Sequence, residues 1–377
     1  MNTYDVIIVG AGIVGCACAR ECAQAGLRVG LVEGNVPGGG ATAAGMGHVV
    51  VMDDSRAQLD LTRYSRSLWQ QLIPELPDTV EYESRGTLWV AVDEEEMVEV
   101  RAKRSTYAAA GVRADILDEA GVAAEEPKLR PGLAGALLVP DDGVIYPPAA
   151  ADWLLERAVA LGTTLLQGSE AASASKGIVR LANGTILHSD RIVLATGTDC
   201  SLLPGMPIKK RKGHLLITDR YPGFLRHQLV ELGYLKSAHA IESDSVAFNI
   251  QPRRTGQLLI GSSRQYGNED SKSDTGILSR MLERAQSYMP ELAQVSGLRV
   301  WTGFRAATPD KLPLIGPAEG LSDDRTIWLA AGFEGLGITN APAAGRLLAD
   351  QMLGRASEID TAPYLPQRVT TQAAVHA

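Results

Sequence analysis

Residues 4–33 constrain this chain more than any other stretch, because they read strand, glycine turn, helix and second strand without interruption. Asp5-Val6-Ile7-Ile8-Val9 is the β-branched composition of a strand buried on both faces. Gly10-Ala11-Gly12-Ile13-Val14-Gly15 follows at once and spells G-x-G-x-x-G. In that pattern the first glycine permits a tight turn, the second lets backbone approach a pyrophosphate, and the third lets helix pack closely on strand. A helix predicted over residues 13–25 and stopped by Gly26 presents its N-terminal N–H groups to phosphate. The strand predicted over 28–32 ends at Glu33, followed by Gly34, where a carboxylate can hold ribose hydroxyls. Together these residues predict a dinucleotide site.

Composition narrows the rest. With 377 residues and 45% hydrophobic content, the chain can bury a core as two domains or as one interleaved unit. A net charge of −8 argues against nucleic acid as the main partner. Three of the four cysteines (Cys16, Cys18 and Cys22) fall on the first helix without a C-x-x-C, so they read as small core residues, and no metal site is expected. The apolar run 6–19 is too short to span a bilayer, ends at Arg20 and lacks a basic leader. The expectation is a cytoplasmic protein, free or held peripherally at the inner membrane through partners. Lys209-Lys210-Arg211-Lys212 is the one dense basic run and reads as a solvated edge or docking patch.

After Glu33 a regular α/β unit would suit NAD, but Gly38-Gly39-Gly40-Ala41-Thr42-Ala43-Ala44-Gly45-Met46-Gly47-His48 follows instead. Such small side chains let backbone N–H groups lie against a flat or phosphorylated ligand. Here the sequence resembles the D-amino-acid oxidase superfamily, the flavoprotein group that contains glycine and sarcosine oxidases. Its members follow the ribose-binding acid with a similar stretch beside FAD, and residues 43–46 are especially similar to glycine oxidase. The resemblance continues in family order. A buried strand ends in Ala195-Thr196-Gly197; Gly303-Phe304-Arg305 matches G-[YF]-R; and residues 310–316 match D-x-x-P-x-I-G. A last apolar strand ends at Gly332 and leads into Phe333-Glu334-Gly335-Leu336-Gly337-Ile338-Thr339, the turn that lies at the pyrimidine end of the flavin in the relatives.

The resemblance implies an α/β fold. A Rossmann-like FAD domain of the glutathione-reductase type (residues 1–76, 141–208 and 298–377) is interleaved with an antiparallel-sheet α+β substrate domain (77–140 and 209–297). FAD is expected to be non-covalent, since no cysteine matches the sarcosine-oxidase attachment position. Its binding residues are the fingerprint set, residues 41–47, Thr196, Gly197, Gly332, Gly335, Leu336, Gly337, Ile338 and Thr339. Arg305 is expected to grip a substrate carboxylate, as a planar guanidinium does with two parallel hydrogen bonds. At Glu334 the sequence departs from glycine oxidase, which has a further arginine in this turn; Glu334 holds a substrate ammonium or hydroxyl, or braces the loop. His48 faces substrate or pairs with a neighbouring loop, and His239, Phe248 and Asn249 are weaker pocket candidates.

Residues 45–55 and the E-G-L-G-I turn look most like the branch containing D-hydroxyproline dehydrogenase catalytic (beta) subunits. That branch lies near the β subunits of opine, proline and cyanide-forming glycine dehydrogenases. The implied reaction is hydride transfer from Cα to flavin N5 in a D-hydroxyproline- or D-proline-type amino acid, by a dehydrogenase that passes electrons to partner subunits. The alternatives are a glycine/sarcosine-like oxidase using oxygen, a 2-hydroxy-acid dehydrogenase, and a flavin-holding assembly subunit without catalysis.

Overall fold

The computed structural model describes residues 3–233 and 244–369, so His239 lies outside the described residues. The fold is mixed α/β, built on two large sheets. The first takes the order Leu314–Pro317, Ile327–Ala331, Ile186–Leu194, Thr3–Val9, Val29–Glu33, Thr164–Gln167. Its strands run parallel except for the antiparallel edge Leu314–Pro317 and a hairpin on Ile186–Leu194 that turns at Asn183-Gly184. Val6 and Ile8 enter one core while Ile7 and Val9 enter the core on the opposite face, which is why this strand is apolar throughout residues 6–9.

The helix Ile13–Gln24 packs between Pro147–Ala160 and Gly337–Leu353. Cys16, Cys18 and Cys22 are fully buried there, and burial pushes the Cys16 and Cys22 thiols up to about 12, so they are neutral space-fillers.

The second sheet roofs the first, in the order Gly297–Ala307, Lys209–Arg220, Gln257–Arg264, Ser245–Pro252, Gln228–Glu231, Thr87–Ala91, Gly135–Val139, Asp115–Asp118. The strand Gly297–Ala307 hydrogen-bonds along Lys209–Arg220 and so lies in this roof, not with the nucleotide-binding sheet. Two adjacent rows across the roof show how its faces divide. Leu88, Leu229, Ile250 and Ile260 form one row and pack under the helix Thr275–Tyr288, where Phe248 stacks on Tyr288 at 4.6 Å. Trp89, Val230, Asn249 and Gly261 form the next row, and its side chains turn towards the nucleotide sheet. Phe248 is therefore a core residue, while its neighbour Asn249 faces the interior cavity.

A buried ion pair joins the layers. Arg66, on the helix Arg56–Leu72, donates to Asp142 at 2.8 Å; Thr87 on the roof and the Val51 N–H donate to the same carboxylate at 2.6 and 3.2 Å. Burial outweighs these donors and pushes the Asp142 carboxyl up to about 6. Removing one partner of such a pair leaves the other charge buried alone. Asp142→Ala is expected to lower stability by roughly 3–5 kcal/mol in equilibrium chemical denaturation.

Candidate active site

Between the two sheets lies a cavity of about 900 Å³. Its nucleotide end follows from the glycine turn. Gly10 has φ +103°, and a Cβ there would stand 2.5 Å from the Ala195 carbonyl oxygen; a Cβ at Gly15 would stand 1.8 Å from the Gly10 carbonyl oxygen. Gly15 thus brings helix against turn and does not itself line the cavity. Gly12 caps the Ile13–Gln24 helix without a side chain, no acidic residue sits in the first turn, and Thr42 Oγ1 accepts the Ile13 N–H at 3.1 Å. The small-residue segment, which forms a short helix Gly40–Ala43 and a short strand His48–Val49, closes over that positive helix end. Glu33 is fixed at the rim, accepting the N–H groups of Ala11 at 2.7 Å and Asn35 at 2.8 Å.

The cavity brings together Gly10, Gly12, Ile13, Val14, Glu33 and Gly34, most of residues 41–48, Thr196 and Gly197, and the turn from Gly332 to Ile338. Ala43 and Thr339 do not reach it. Ala43 faces outward, and Thr339 is a structural link that donates to the His48 carbonyl at 2.8 Å. The last helix begins at Gly337, and its N-terminus also opens on the cavity. Pro342 inside it cannot donate to the Ile338 carbonyl; Trp69 Nε1 does so at 3.1 Å. Two uncapped helix N-termini, a rim carboxylate and a small-residue wall on one elongated cavity fit a flavin dinucleotide: one N-terminus suits pyrophosphate, the other the electron-rich edge of the ring.

At the roof end Arg305 lines the cavity and donates from Nη1 to the Ser263 carbonyl at 3.0 Å. Gly213, on the neighbouring strand, leaves room for it: a Cβ there would stand 2.6 Å from Nη1. His214 supports this arrangement. Its Nε2 accepts the Asp274 N–H at 3.0 Å, so Nδ1–H donates to Ser263 Oγ at 2.9 Å.

Arg211 sits opposite Arg305 in the strand register, stacks 4.9 Å from the centre of the Tyr266 ring and forms an ion pair with Glu334. Glu334, at φ +56°, also donates its N–H to Ala306 at 2.8 Å. Glu334 thus braces the turn and neutralises the second guanidinium. The basic run is correspondingly not a solvated edge throughout: Lys209 and Lys210 are exposed, whereas Arg211 and Lys212 are buried, Lys212 against Asp270 at 2.7 Å.

His48 also lines the cavity, with Nδ1 2.5 Å from Gln228 Oε1 and Nε2 3.3 Å from Asn249 Nδ2. Burial chiefly, and the positive charge of Arg305 secondarily, hold its imidazole below the ordinary value, against the pull of Gln228. Gln228, Arg211, Gly213 and His214 are absent from the sequence-derived site. Strand alternation places His214, Gln228 and Asn249 on strands, but only the register shows what they meet.

Two outcomes follow. Gly213→Ala displaces the end of a flexible side chain rather than backbone, so the variant should fold and hold cofactor while weakening carboxylate binding about tenfold in titrations followed by flavin absorbance. His48 and His214 both titrate low. Between the folded and unfolded values the folded state binds fewer protons, so their contribution is complete above about pH 6.5 and is lost on acidification. The loss in melting temperature between about pH 7.5 and about pH 5 should be smaller in His48→Gln than in the parent.

Fold and cradle together define a flavin-dependent oxidoreductase. Residues 5–351 match the family described as FAD dependent oxidoreductase (DAO), and the chain belongs to it. Glycine oxidase of Pseudomonas aeruginosa is 30% identical, over 96% of this chain and 98% of that protein. A hydrogen cyanide synthase subunit of the same organism is 26% identical, over 100% and 99%. The crystal structure of glycine oxidase from Geobacillus kaustophilus superposes with a TM-score of 0.86 at 26% identity, covering 98% of this chain and 99% of that one. The protein is an FAD-dependent oxidoreductase. No helix among the described residues is long and apolar enough to cross a membrane.

Proposed function

We propose that the chain oxidises the C–N bond of a small amino acid to an imine, in the manner of the glycine and sarcosine oxidases, with FAD held non-covalently. The observation that carries this reading is Arg305, a guanidinium lodged against Gly213 in the wall of a cavity built for a flavin dinucleotide. The D-hydroxyproline reading gives way to the glycine-oxidase one because a protein named for that activity is 30% identical along nearly the whole chain. The arginine that glycine oxidase carries in the 332–338 turn is replaced by Glu334, yet Arg211 brings a guanidinium to the same turn from the adjacent strand.

When bound, FAD supplies the two-electron acceptor. The chain does the rest. Arg305 takes the carboxylate through charge-assisted hydrogen bonds and so fixes the direction of the Cα–H bond. Glu334 cancels the charge of Arg211, so that guanidinium is held by the turn. His48 is held neutral, and the substrate amine must likewise be neutral for its lone pair to assist as the C=N bond forms. The N-terminus of Gly337–Leu353 gives the cavity positive potential.

A second reading, in which electrons pass to a partner subunit instead of oxygen, rests on the full-length likeness to a hydrogen cyanide synthase subunit. Peroxide release in air separates the two, since only the oxidase produces it without a partner or dye. For the main reading, anaerobic mixing with glycine, sarcosine and the prolines should bleach the flavin, whereas 2-hydroxyglutarate should not. Arg305→Met should stay yellow and be reduced about 100-fold more slowly or worse. Unchanged reduction kinetics in that variant would remove Arg305 from the site.

A further inference from the structure

A buried polar chain runs from the nucleotide side to the cavity, and its hydrogen-bond direction is set at one end. The Gly143 carbonyl can only accept, so the amide that faces it at 3.4 Å is Gln228 Nε2. Gln228 Oε1 therefore faces His48, whose Nδ1 must carry the proton. The neutral ring then presents a lone pair at Nε2, and Asn249 turns its Nδ2 to that lone pair. Every step is set by the one before it, and the last leaves Asn249 Oδ1 as the end of the chain that finds no donor among the described residues.

That oxygen has no hydrogen-bond partner among the described residues, although Asn249 is only 8% exposed. Its neighbours on the adjoining strands are Val230 and Gly261, neither of which has a side-chain donor to offer. Asn249 lines the same cavity as Arg305. A buried acceptor without a donor is costly to maintain, and it suits a ligand that brings one.

We propose that Asn249 is a specificity-determining residue whose Oδ1 accepts an N–H hydrogen bond from the α-nitrogen of the substrate, with Gln228 and His48 as positioning residues that keep the amide in that orientation. This deepens, and rests on, the amino-acid reading given above. The assignment divides the substrate between two groups of opposite character. Arg305 has only donors and takes the carboxylate; Asn249 Oδ1 has only lone pairs, repels a carboxylate and takes the N–H. Carboxylates without an α-donor leave the oxygen unmet and bind more weakly.

The test uses two planar acids of the same shape that the enzyme cannot oxidise by the amine route. Pyrrole-2-carboxylate has a ring N–H next to the carboxylate-bearing carbon, and furan-2-carboxylate has an oxygen there. Their dissociation constants for the FAD-loaded full-length protein are read from the perturbed flavin spectrum. The parent should bind the pyrrole acid about tenfold more tightly or better. In Asn249→Leu the preference should fall to about one while the furan acid keeps its affinity within about twofold, which also shows that the variant is folded and loaded. In Gln228→Met, which leaves Asn249 in place but frees the imidazole, the preference should fall as well.

Equal binding of the two acids by the parent, or a preference that survives Asn249→Leu, overturns the assignment of Asn249 while leaving Arg305 and the amino-acid reading intact. A preference that survives Gln228→Met overturns the positioning role. If neither acid perturbs the parent's flavin and no amino acid bleaches it, the amino-acid reading itself fails and takes this proposal with it.

Discussion

A β-strand sends successive side chains to opposite faces, and the roof sheet of this protein depends on that alternation. One face must be apolar enough to pack a helix, and the other must carry polar groups at fixed positions over a cavity. The two demands are met one residue apart: Leu88, Leu229 and Ile250 serve the helix-covered core, whereas Trp89, Val230 and Asn249 serve the cavity. A slip of one residue in any of these strands would bury the amide of Asn249 among leucines and push Phe248 into the cavity. Rigidity of the site is therefore inherited from the core behind it, and a loop could not supply it so cheaply.

Charge is managed by the same register. Arg211 and Arg305 stand opposite each other on antiparallel strands, an arrangement that repels unless something intervenes. Glu334 intervenes by pairing with Arg211, at a turn residue held in the left-handed region. Tyr266 covers the other side of Arg211 with the face of its ring. Arg211 is thus held on both sides by partners of its own.

What was legible in the sequence was local. The glycine fingerprint, the small-residue run and the G-F-R strand each declare themselves within a few residues, because a tight turn, a close backbone approach and a guanidinium need specific residue types in sequence. Glu334 and His48 were legible as polar residues in the right segments, but what they do was not. Glu334 takes its meaning from Arg211, 123 positions away, and His48 from Gln228, 180 positions away. The basic run misleads for the same reason: a charge run looks solvated until the fold buries its last two members, Arg211 and Lys212, against Glu334 and Asp270 from distant segments. Pro342 is a similar case. It lies inside the helix, and only the fold shows that Trp69 from a distant helix replaces the hydrogen bond it removes.

The link at Thr339 shows how the last helix and the roof sheet are kept in step. Its hydroxyl donates to the His48 carbonyl, and its own carbonyl accepts from Ser65 and Trp69. The first turn of the last helix, whose N-terminus faces the flavin site, is therefore fastened directly to the backbone that carries the cavity imidazole. Through Gln228 that imidazole is in turn fastened to the roof. A displacement of the helix end cannot occur without moving His48, nor can His48 move without breaking its contact to the roof strand. The helix end, the cavity imidazole and the roof strand are one mechanical unit here, joined by a short run of hydrogen bonds instead of a flexible hinge.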